Sequence, residues 1–500
     1  MKTAVARWLL CTALLVAGSG SVRANSENGM NGFACSLYGA LAGQQENLFF
    51  SPFSVGTALA MTAEGARGET ARQLAAVLGL NAPADNGDPL QPVDFSPLHA
   101  ELGRLAERLA PKPAPAQRQA QLAAWRLELD RANAALARAT DFDAAYYALG
   151  EKAQQLAADI NRVQREIDPT EFRSANALWL ERSFAIEPPY LAAIARYYQT
   201  GGAMPVDFRG DAETARRSIN DWVAAQTNQR IRELLARGMV DAATRLVLTN
   251  AVYFLGEWLE PFDAARTRNE KFFLRDGGSV EVPMMRDWKY DGAKYAAFQA
   301  DGSPFTTPLQ IEFGDRDHSR HYPQDGFQLV ELPYRGDALS MQLILPMRAD
   351  GLAAVEALLD NVHLERWNAA LVAREVDVAL PKFRMDSSLE LSAALQQLGL
   401  RRAFVNPADT AGGAQFDGIS VSADPAERLY IGAVVHKAFV AVDEKGTEAA
   451  AATAVIMPAG AAMPDMVDFT PVFRADRAFI FLIRDRNSGT VLFLGRLQRP

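Results

Sequence analysis

The sequence predicts a mixed α+β fold with large antiparallel sheets. From residue 172 onward, β-type runs and helical segments alternate. The chain ends in two β-type runs, residues 477–484 and 490–496, joined by a turn at 486–489. Hydrophobic residues make up 49% and charged residues 22% of the 500 residues, which is typical of a globular protein and excludes a disordered or collagen-like chain. The length allows about two to four domains, or one unusually large domain.

Charge and cysteine content exclude further classes. Lys and Arg number 51 against 60 Asp and Glu, so the net charge is −9 and broad phosphate neutralisation on a nucleic acid is not expected. Two cysteines, Cys11 and Cys35, exclude a disulfide scaffold. Because Cys35 shares an apolar helical face with Phe33 and Leu37, we expect a buried thiol there and not a nucleophile.

Residues 1–24 predict a secretory signal peptide. Lys2 and Arg7 precede a short apolar run at 8–17, and a stretch rich in small residues ends at Ala24. The alternative is a membrane anchor, but neither this run nor any later one is long enough to span ~30 Å of hydrocarbon. Cleavage would leave one cysteine and a net charge of −12. We therefore expect a secreted protein, extracellular or periplasmic.

Apolar periodicity and breakers predict the other elements in chain order. Helices are expected at 31–43, within 46–79, at 96–110, at 214–226 and at 389–398. The principal β-type runs are residues 174–180, 245–254, 327–332, 340–346 and 375–381.

Residues 111–168 predict an antiparallel helical hairpin of the coiled-coil type. Prolines at 111, 113 and 115 break the chain, whereas residues 117–167 contain none. Thr140 or Asp141 would cap the second helix. Apolar residues spaced for a buried seam occur in two series. They are Leu122, Trp125, Leu129, Ala132 and Leu136, then Leu149, Ala153, Leu156, Ile160, Val163 and Ile167.

No catalytic signature is present: the sequence has no phosphate-binding loop, no nucleophile elbow and no zinc-protease motif. His318 and His321 have the spacing of a metal pair, but their neighbours are charged or polar, which favours a solvated loop. We therefore predict no catalytic residue, no metal site and no cofactor, and we expect a protein that is not an enzyme.

Residues 442–455 are unusual because a run of small residues lies between two β-type segments. One interpretation is a plain alanine-rich helix. The other is a segment that is exposed in one state and enters a sheet in another, since Ala imposes little steric demand and Thr and Val favour strands.

Six motifs resemble those of the serpin family, in the family's order. They are residues 47–54 (NLFFSPFS), 174–179 (SANALW), 248–258 (LTNAVYFLGEW), 416–420 (FDGIS), 435–439 (VHKAF) and 491–496 (VLFLGR). Together with residues 442–455, they make the chain similar to inhibitory serpins of the bacterial type, over about residues 29–109 and 172–498.

The resemblance implies the serpin fold: three β-sheets, about eight or nine helices and an exposed reactive loop. Residues 25–500 would form a single domain, with 442–468 as hinge and reactive loop. Residues 111–168 would be an insertion outside the family core. Its outer face could dock a partner or contact the cell envelope, and the alternative is a self-packed surface decoration.

The resemblance also implies the function, which is inhibition of a serine endopeptidase by a suicide-substrate mechanism, with cysteine endopeptidases as the alternative target class. The protease forms an acyl-enzyme with the loop, and the cleaved hinge inserts into the central sheet and traps it. A non-inhibitory serpin that acts as a binding or chaperone-like module is the alternative. We expect a monomer whose partner is the target protease, with no nucleic acid and no membrane span.

The implied hinge must enter a sheet without clash or unpaired charge. Thr447 is its first inward-facing position, and strand alternation then places further inward positions at every second residue. Gly446 gives the bend at which the loop leaves the sheet. The hinge residues are Glu444, Gly446, Thr447, Ala449, Ala451 and Thr453.

The resemblance assigns Ser51, Ser54, Asn250 and His436 to a polar shutter beneath the centre of the sheet, and Trp258 to the breach where insertion begins. For each of these residues, the alternative is an ordinary buried side chain.

Counting forward from Glu444 by the usual hinge length places the reactive bond between Gly460 and Ala461. Counting back from the strand at Phe473 gives residues 464–467 instead, because the segment before that strand is longer than usual. We favour the forward count, since hinge length governs whether the acyl-enzyme is trapped in time. The alternatives in the local sequence are Ala459, Ala462 and Met463.

The residues around this bond are small or are methionines, with no Arg or Lys. They suit a narrow or apolar specificity pocket, so we expect an elastase-like or subtilisin-like target and not a trypsin-like one.

Overall fold

The structure is a computed structural model. It describes residues 29–43, 46–80, 93–110, 116–139, 144–166, 170–198, 202–312, 315, 317–410, 412–447 and 466–500. The proposed signal peptide lies outside the described residues.

The described residues form eleven α-helices. They are α1 (Met30–Ala42), α2 (Pro52–Glu64), α3 (Gly68–Val77), α4 (Ser96–Leu109), α5 (Ala116–Leu136), α6 (Ala144–Glu166), α7 (Pro188–Tyr197), α8 (Phe208–Gln226), α9 (Leu352–Ala357), α10 (Asn361–Ala369) and α11 (Ser392–Gln397).

The same residues form twenty strands. They are β1 (Leu48–Phe50), β2 (Glu171–Glu181), β3 (Gly202–Val206), β4 (Leu246–Glu257), β5 (Arg268–Phe273), β6 (Ser279–Tyr290), β7 (Lys294–Phe298), β8 (Pro304–Phe305), β9 (Gln310–Glu312), β10 (Phe327–Pro333), β11 (Leu339–Pro346), β12 (Val372–Ala373), β13 (Val376–Pro381), β14 (Phe383–Glu390), β15 (Ile431–Val442), β16 (Gly446–Thr447), β17 (Met466–Asp468), β18 (Val472–Arg474), β19 (Phe479–Asp485) and β20 (Val491–Leu497).

Three large sheets and one small ribbon organise these strands. The main sheet has the order β14-β15-β4-β2-β3, with β16 added on β4. An eight-stranded sheet has the order β1-β20-β19-β11-β10-β7-β12, with β8 beside β7, and a four-stranded sheet has the order β18-β13-β6-β5. The ribbon consists of β9 and β17. The described chain is therefore an α+β protein with three large sheets, as the sequence predicts.

The main sheet is covered on both faces. Helix α2 lies against one face, and its residues Pro52–Ala63 are all buried. On the other face, α8 packs Ile219 and Val223 against Ala251 of β4. A strand that is apolar on both faces is expected when both faces are covered, and β4 is buried over most of its length. The sheet is thus an interior element, and polar residues within it need hydrogen-bond partners.

Helices α5 and α6 form an apolar cluster of their own, separate from the two other cores of the described chain. Its buried residues are Leu122, Leu129, Ala132, Ala153, Leu156, Ile160 and Val163, with Trp125, Leu136, Leu149 and Ala157 partly buried. All the described residues of the heptad pattern lie in this cluster, and the two helices therefore stabilise each other. Ile167, Thr140 and Asp141 lie outside the described residues.

Two element boundaries differ from the sequence predictions. The helix expected at 389–398 begins only at Ser392, because strand β14 extends to Glu390 with strictly alternating burial, which is the period of a strand. Helix α8 has a first turn from Phe208, which Asp207 caps by accepting a hydrogen bond from the Gly210 N–H. Asp211 is non-helical and kinks the helix, and it accepts a hydrogen bond from the Thr214 N–H at 2.9 Å, so the regular part of α8 begins within two residues of the expected start at Thr214.

Cys35 is 7% exposed, and burial raises the pKa of its thiol to about 12, with Asp360 adding to the shift. The thiol is therefore inert in this position, as expected from its apolar face. In the part of the chain that the structure describes, no helix combines the length and the apolar character needed to cross a membrane.

Candidate functional site: the seam of the main sheet

Polar residues from separate elements meet beneath the middle of the main sheet. Ser51 caps α2 and Ser54 lies in the first turn of that helix. Asn250 of β4 and His436 of β15 face each other in the strand register. All four are buried, with exposed fractions of 1% or less. With two residues of β2 they form the shutter network, which consists of Ser51, Ser54, Ser174, Asn176, Asn250 and His436.

Asn250 joins three strands and a helix. Its Nδ2 donates to Ser54 Oγ at 2.5 Å and to Asn176 Oδ1, and its Oδ1 accepts from His436 Nδ1. Ser54 Oγ also donates to Asn176 Oδ1 at 2.9 Å and lies 2.7 Å from Ser174 Oγ. The network therefore holds β2, β4 and β15 in one register, and separating β15 from β4 breaks it.

His436 is held as the neutral Nδ1–H tautomer. Nδ1 donates to Asn250, while Nε2 accepts from the Ser51 backbone N–H at 3.1 Å. Ser51 Oγ donates to the Leu492 carbonyl at 2.6 Å, which ties the helix cap to β20. Burial lowers the pKa of His436 from 6.5 to about 3. A proton on Nε2 would abolish the bond from Ser51, so the network is intact only when the ring is neutral.

The parallel pairing of β15 with β4 stops before the strands end. It runs from Ile431 opposite Leu246 to Phe439 opposite Tyr253. Beyond that point, β16 pairs antiparallel with the last residues of β4, with Thr447 opposite Gly256. The main sheet therefore has a seam between β15 and β4, and the first residues of the predicted hinge occupy its open end.

A tight turn over residues 443–446, here called the hinge turn, connects β15 to β16. The Asp443 N–H donates to the Gly446 carbonyl at 2.9 Å, and the Gly446 N–H donates to the Asp443 carbonyl at 3.2 Å. Gly446 has φ +149°, and a Cβ on it would lie 2.1 Å from the Gly256 carbonyl oxygen and 2.6 Å from Glu257 Cα. Only glycine fits this approach, which gives the predicted bend its physical cause.

Trp258 supports the hinge turn from below. Its Nε1 donates to the Asp443 carbonyl at 2.9 Å, and its backbone N–H donates to the Lys445 carbonyl at 2.9 Å. The indole is fully buried and stacks on the Tyr334 ring at 4.8 Å with an interplanar angle of 6°. Trp258 therefore lies where the hinge turn leaves the sheet.

Glu444 anchors the hinge turn through its side chain. Its carboxylate accepts from Thr267 Oγ1 at 2.8 Å and from Lys382 Nζ at 2.7 Å, and the Phe262 N–H donates to its carbonyl at 2.7 Å. Burial alone would raise the pKa of Glu444, but the hydrogen bonds from Lys382 and Thr267 outweigh it and hold the pKa below its ordinary value. The carboxylate is thus ionised and paired at neutral pH.

Several predicted site residues lie outside the described part of the chain: the hinge positions Ala449, Ala451 and Thr453, and the reactive-bond residues Ala459, Gly460, Ala461, Ala462 and Met463. The backbone of Thr447 is described in β16. The structure brings together the other predicted hinge, shutter and breach residues around the seam.

Sequence reasoning missed five residues of this site: Ser174, Asn176, Thr267, Tyr334 and Lys382. Ser174 and Asn176 carry a usable signal, because they are polar residues two apart in the predicted run 174–180, which is otherwise apolar, so they share one face. The other three are isolated in sequence, and only the tertiary fold brings them to the hinge turn.

His318 and His321 lie on a single 3-10 turn. His321 Nε2 lies 2.9 Å from Asp315 Oδ2, and Arg320 also contacts this carboxylate, at 2.5 Å. Among the described residues, no three His, Cys, Asp or Glu side chains are grouped as a metal site would require.

Comparisons with known proteins agree with this architecture. The family model described as serpin (serine protease inhibitor) matches residues 28–500. A serpin-like protein of Thermococcus kodakarensis is 36% identical, over 95% of this chain and 85% of its own length. The leukocyte elastase inhibitor of Sus scrofa is 33% identical, over 94% of this chain and 97% of its own.

Solved structures show the same fold. The thermophilic serpin tengpin, in its native state, has a TM-score of 0.66 at 22% identity, covering 95% of this chain and 94% of that one. Uncleaved ovalbumin also gives 0.66 at 22% identity, covering 95% and 100%. The three large sheets and these matches define a protein of the serpin class. The chain belongs to the serpin family.

Proposed function

We propose that this protein inhibits serine endopeptidases as a suicide substrate, by inserting its cleaved reactive loop between β4 and β15. The observation that carries the proposal is the pairing of β16 with β4. Two hinge residues already form an antiparallel ladder on β4, at the end of the seam where β15 has stopped pairing. The loop therefore starts in the register of a new central strand.

The register assigns the inward face of that strand. In β4, Leu248, Val252 and Phe254 belong to the main core, so even-numbered positions face α2 and the shutter network. Thr447 lies opposite Gly256, an even position. Continuing the ladder puts Ala449 opposite Phe254, a large side chain that leaves little room beside it.

The same continuation places Ala451 opposite Val252 and Thr453 opposite Asn250. Small side chains are therefore required where the strand would meet the core, and a hydroxyl where it would meet the shutter network. The sequence supplies Ala, Ala and Thr at these positions. This fit supports the hinge assignment of residues 444–453.

The chemical step follows from the reactive bond. The protease serine Oγ adds to the carbonyl carbon of Gly460, the Gly460–Ala461 amide bond breaks, and the Ala461 nitrogen leaves as an amine with the proton passed on by the protease histidine. The freed hinge then extends the β16 ladder along β4 before water hydrolyses the ester. Strand addition provides main-chain hydrogen bonds on both sides and displaces the protease from its docking position.

Small residues and methionines around the bond favour an elastase-like or subtilisin-like protease. A relative that carries the name leukocyte elastase inhibitor supports this specificity. We further propose that residues 1–24 direct secretion, that the protein is a monomer, and that residues 111–168, which contain α5 and α6, are an insertion in the family core.

The experiment is a titration of the purified protein against elastase and against subtilisin, followed by denaturing electrophoresis. A covalent complex stable in SDS is expected with at least one of them. The control is the same protease with its nucleophilic serine changed to alanine, which cannot form the ester. Cleavage without any complex would reject the inhibitory mechanism and favour a non-inhibitory serpin.

A further inference from the structure

The segment that follows the reactive loop is held against the body of the protein by the connection between β8 and β10. Strand β17 pairs antiparallel with β9, with Val467 opposite Ile311. The ladder continues one residue further, since the Phe469 N–H donates to the Leu309 carbonyl at 2.8 Å. Gln310 Nε2 also donates to Asp468 Oδ1 at 3.0 Å. The two strands thus dock through both backbone and side chains.

Phe469 is the centre of this contact. It is 3% exposed, although it lies in a connecting segment and not in a large sheet. Its ring centroid lies 5.0 Å from the His321 ring, 5.7 Å from His318 and 5.9 Å from Tyr322. A buried aromatic ring that packs against other aromatic rings typically anchors the segment that carries it.

Arg374 closes the pocket from the opposite side. Its guanidinium carbon lies 5.8 Å from the centroid of the Phe469 ring, and its Nη2 donates to the carbonyl of Phe469 and, at 3.0 Å, to that of Pro308. One cation therefore binds both strands of the ribbon. Next to it, the Val472 N–H donates to the Tyr322 hydroxyl at 2.8 Å. We call this arrangement the flank clamp; it consists of Pro308, Leu309, Gln310, Ile311, His318, His321, Tyr322 and Arg374.

The flank clamp removes the disagreement between the two ways of locating the reactive bond. Between the hinge at Thr447 and the strand at Phe473 the chain has 25 residues, and docking of 466–472 leaves 18 of them, 448–465, between the hinge and the docked segment. The flank after Gly460 then shortens from 12 residues to five, 461–465. An extended chain covers at most about 3.5 Å per residue, so a flank of 12 undocked residues would reach more than twice as far as the five residues that docking leaves.

We propose that the flank clamp is a positioning device for the protease-inhibition reaction: it anchors the C-terminal flank of the reactive loop, so that the bond at the correct hinge length is the one presented to a protease. It acts through the flank of the loop and takes no part in the bond-breaking step. The inference rests on the proposed function, because it concerns the loop that is the bait in that mechanism.

The test compares Phe469→Ala with Phe184→Ala. Phe184 is a matched control, because it is 8% exposed and also lies under an arginine, with Arg209 5.7 Å from its ring centroid. Hydrogen exchange reports whether the clamp holds. At the amides of Val467 and Phe469, which face β9, we expect exchange at least about tenfold faster in Phe469→Ala than in the wild type, because truncating a buried aromatic ring weakens its contact by that factor or more. Phe184→Ala leaves these amides unchanged.

The second readout is mass spectrometry of the C-terminal peptides released by elastase. The wild type and Phe184→Ala are expected to give one dominant peptide that begins at Ala461. Phe469→Ala is expected to give additional peptides cut between 462 and 471, and more inhibitor molecules consumed per protease molecule. Unchanged exchange at the amides of Val467 and Phe469, or faster exchange there with an unchanged cleavage pattern, would overturn the positioning role.

Failure of the proposed function can be distinguished from failure of the flank clamp. If the wild type forms no SDS-stable complex, inhibition is rejected. The cleavage positions in the two variants would still show whether the flank clamp positions the loop.

A reversible lock provides an independent check. Gln310 and Asp468 lie directly opposite each other in the ribbon. The neighbouring pair, Leu309 and Phe469, is hydrogen-bonded through the backbone. Because the two types of pair alternate along an antiparallel ladder, Gln310 and Asp468 form a non-hydrogen-bonded pair, in which the Cα atoms are closer. The double variant Gln310→Cys, Asp468→Cys is therefore placed for a disulfide. In the oxidised form we expect the wild-type cleavage position and undiminished complex formation. If oxidation turned the protein into a substrate, release of the flank would be part of the reaction and the clamp would not be a fixed anchor.

Discussion

The two ends of the reactive loop are held by opposite kinds of contact. At the hinge end, a two-residue strand lies at the open end of a seam, and small residues follow it in sequence. At the flank end, a three-residue strand is fixed by a buried phenylalanine, an aromatic pocket and an arginine. The strand at the hinge end can be extended, because further residues can join its ladder on β4. The strand at the flank end is already held by its ladder, its buried ring and its arginine. In the proposed mechanism, the hinge end is therefore the end that moves and the flank end is the end that stays.

The largest expected effect comes from blocking the end that moves. Thr447→Arg puts a charge on the inward face of the inserting strand, and a buried unpaired charge costs several kcal/mol, on the order of 3–5. We expect complex formation with elastase to be lost and the variant to be cleaved as a substrate, as measured by denaturing electrophoresis. Glu448→Arg is the matched control, since strand alternation places that residue on the outer face. Equal inhibition by both variants would contradict the register.

Removing the glycine of the hinge turn is expected to have the next largest effect. In Gly446→Ala, the new Cβ meets the Gly256 carbonyl, and φ +149° is a region that alanine avoids. We expect the free energy of unfolding of the native protein to fall by about 2 kcal/mol or more, measured by denaturant titration. Gly412→Ala, where the nearest atom to a new Cβ lies 3.7 Å away, is expected to be nearly neutral.

The pH dependence of stability reports on the shutter network. His436 has a pKa of about 3 in the folded protein and of 6.5 in the unfolded chain. Between these two pH values the imidazole is protonated in the unfolded chain and neutral in the folded protein. The free energy of unfolding therefore falls as the pH falls below 6.5. Between pH 7 and pH 5 this loss amounts to about 2 kcal/mol. His436→Gln should be less stable at pH 7 and show a flatter profile over that range. A profile as steep as that of the wild type would mean that other groups set the pH dependence.

Glu444 provides a smaller effect at the hinge turn. Glu444→Gln replaces a charge-assisted hydrogen bond from Lys382 and should cost about 1.5 kcal/mol in thermal or denaturant unfolding. Because the folded pKa lies below 4.5, this stabilisation is present above that value and is lost as the pH falls through the folded pKa. The exposed pair of Glu375 and Lys289 is a control, and Glu375→Gln should have almost no effect.

The smallest effect is expected from the helical pair. Helices α5 and α6 bury their apolar residues in a cluster of their own, so excising residues 111–168 and joining the ends through a short Gly-Ser linker should leave the inhibition rate unchanged. A clear loss of rate in a kinetic assay with elastase would show that this segment takes part in protease capture.

The sequence alone predicts those features that come from a repeated apolar pattern or from a recognisable motif. The heptads at Leu122 and Leu129 predicted the seam of α5 and α6, and the motif around Asn250 predicted a buried polar contact at the sheet centre. The sequence predicts a helix from Leu389, inside the last two residues of strand β14, because Leu389 begins an apolar run whose continuation has the helical period.

The contacts at the two ends of the loop were not predictable in the same way. Lys382 reaches Glu444 across 62 positions, and Arg374 reaches Phe469 across 95. Each pair is made by sheet topology, and a single sequence carries no signal that joins such distant residues. The ribbon of β9 and β17 is also made by tertiary contacts, so the sequence alone does not explain the extra residues before Phe473.

The central claim is that the cleaved loop becomes a strand between β4 and β15. The most direct measurement is the thermal unfolding midpoint of the protein before and after cleavage within residues 448–465. Insertion adds a fully hydrogen-bonded central strand, so the midpoint should rise by about 10 °C or more, and exchange of the amides that follow Thr447 should slow at the same time. An unchanged midpoint in the cleaved protein would contradict the account.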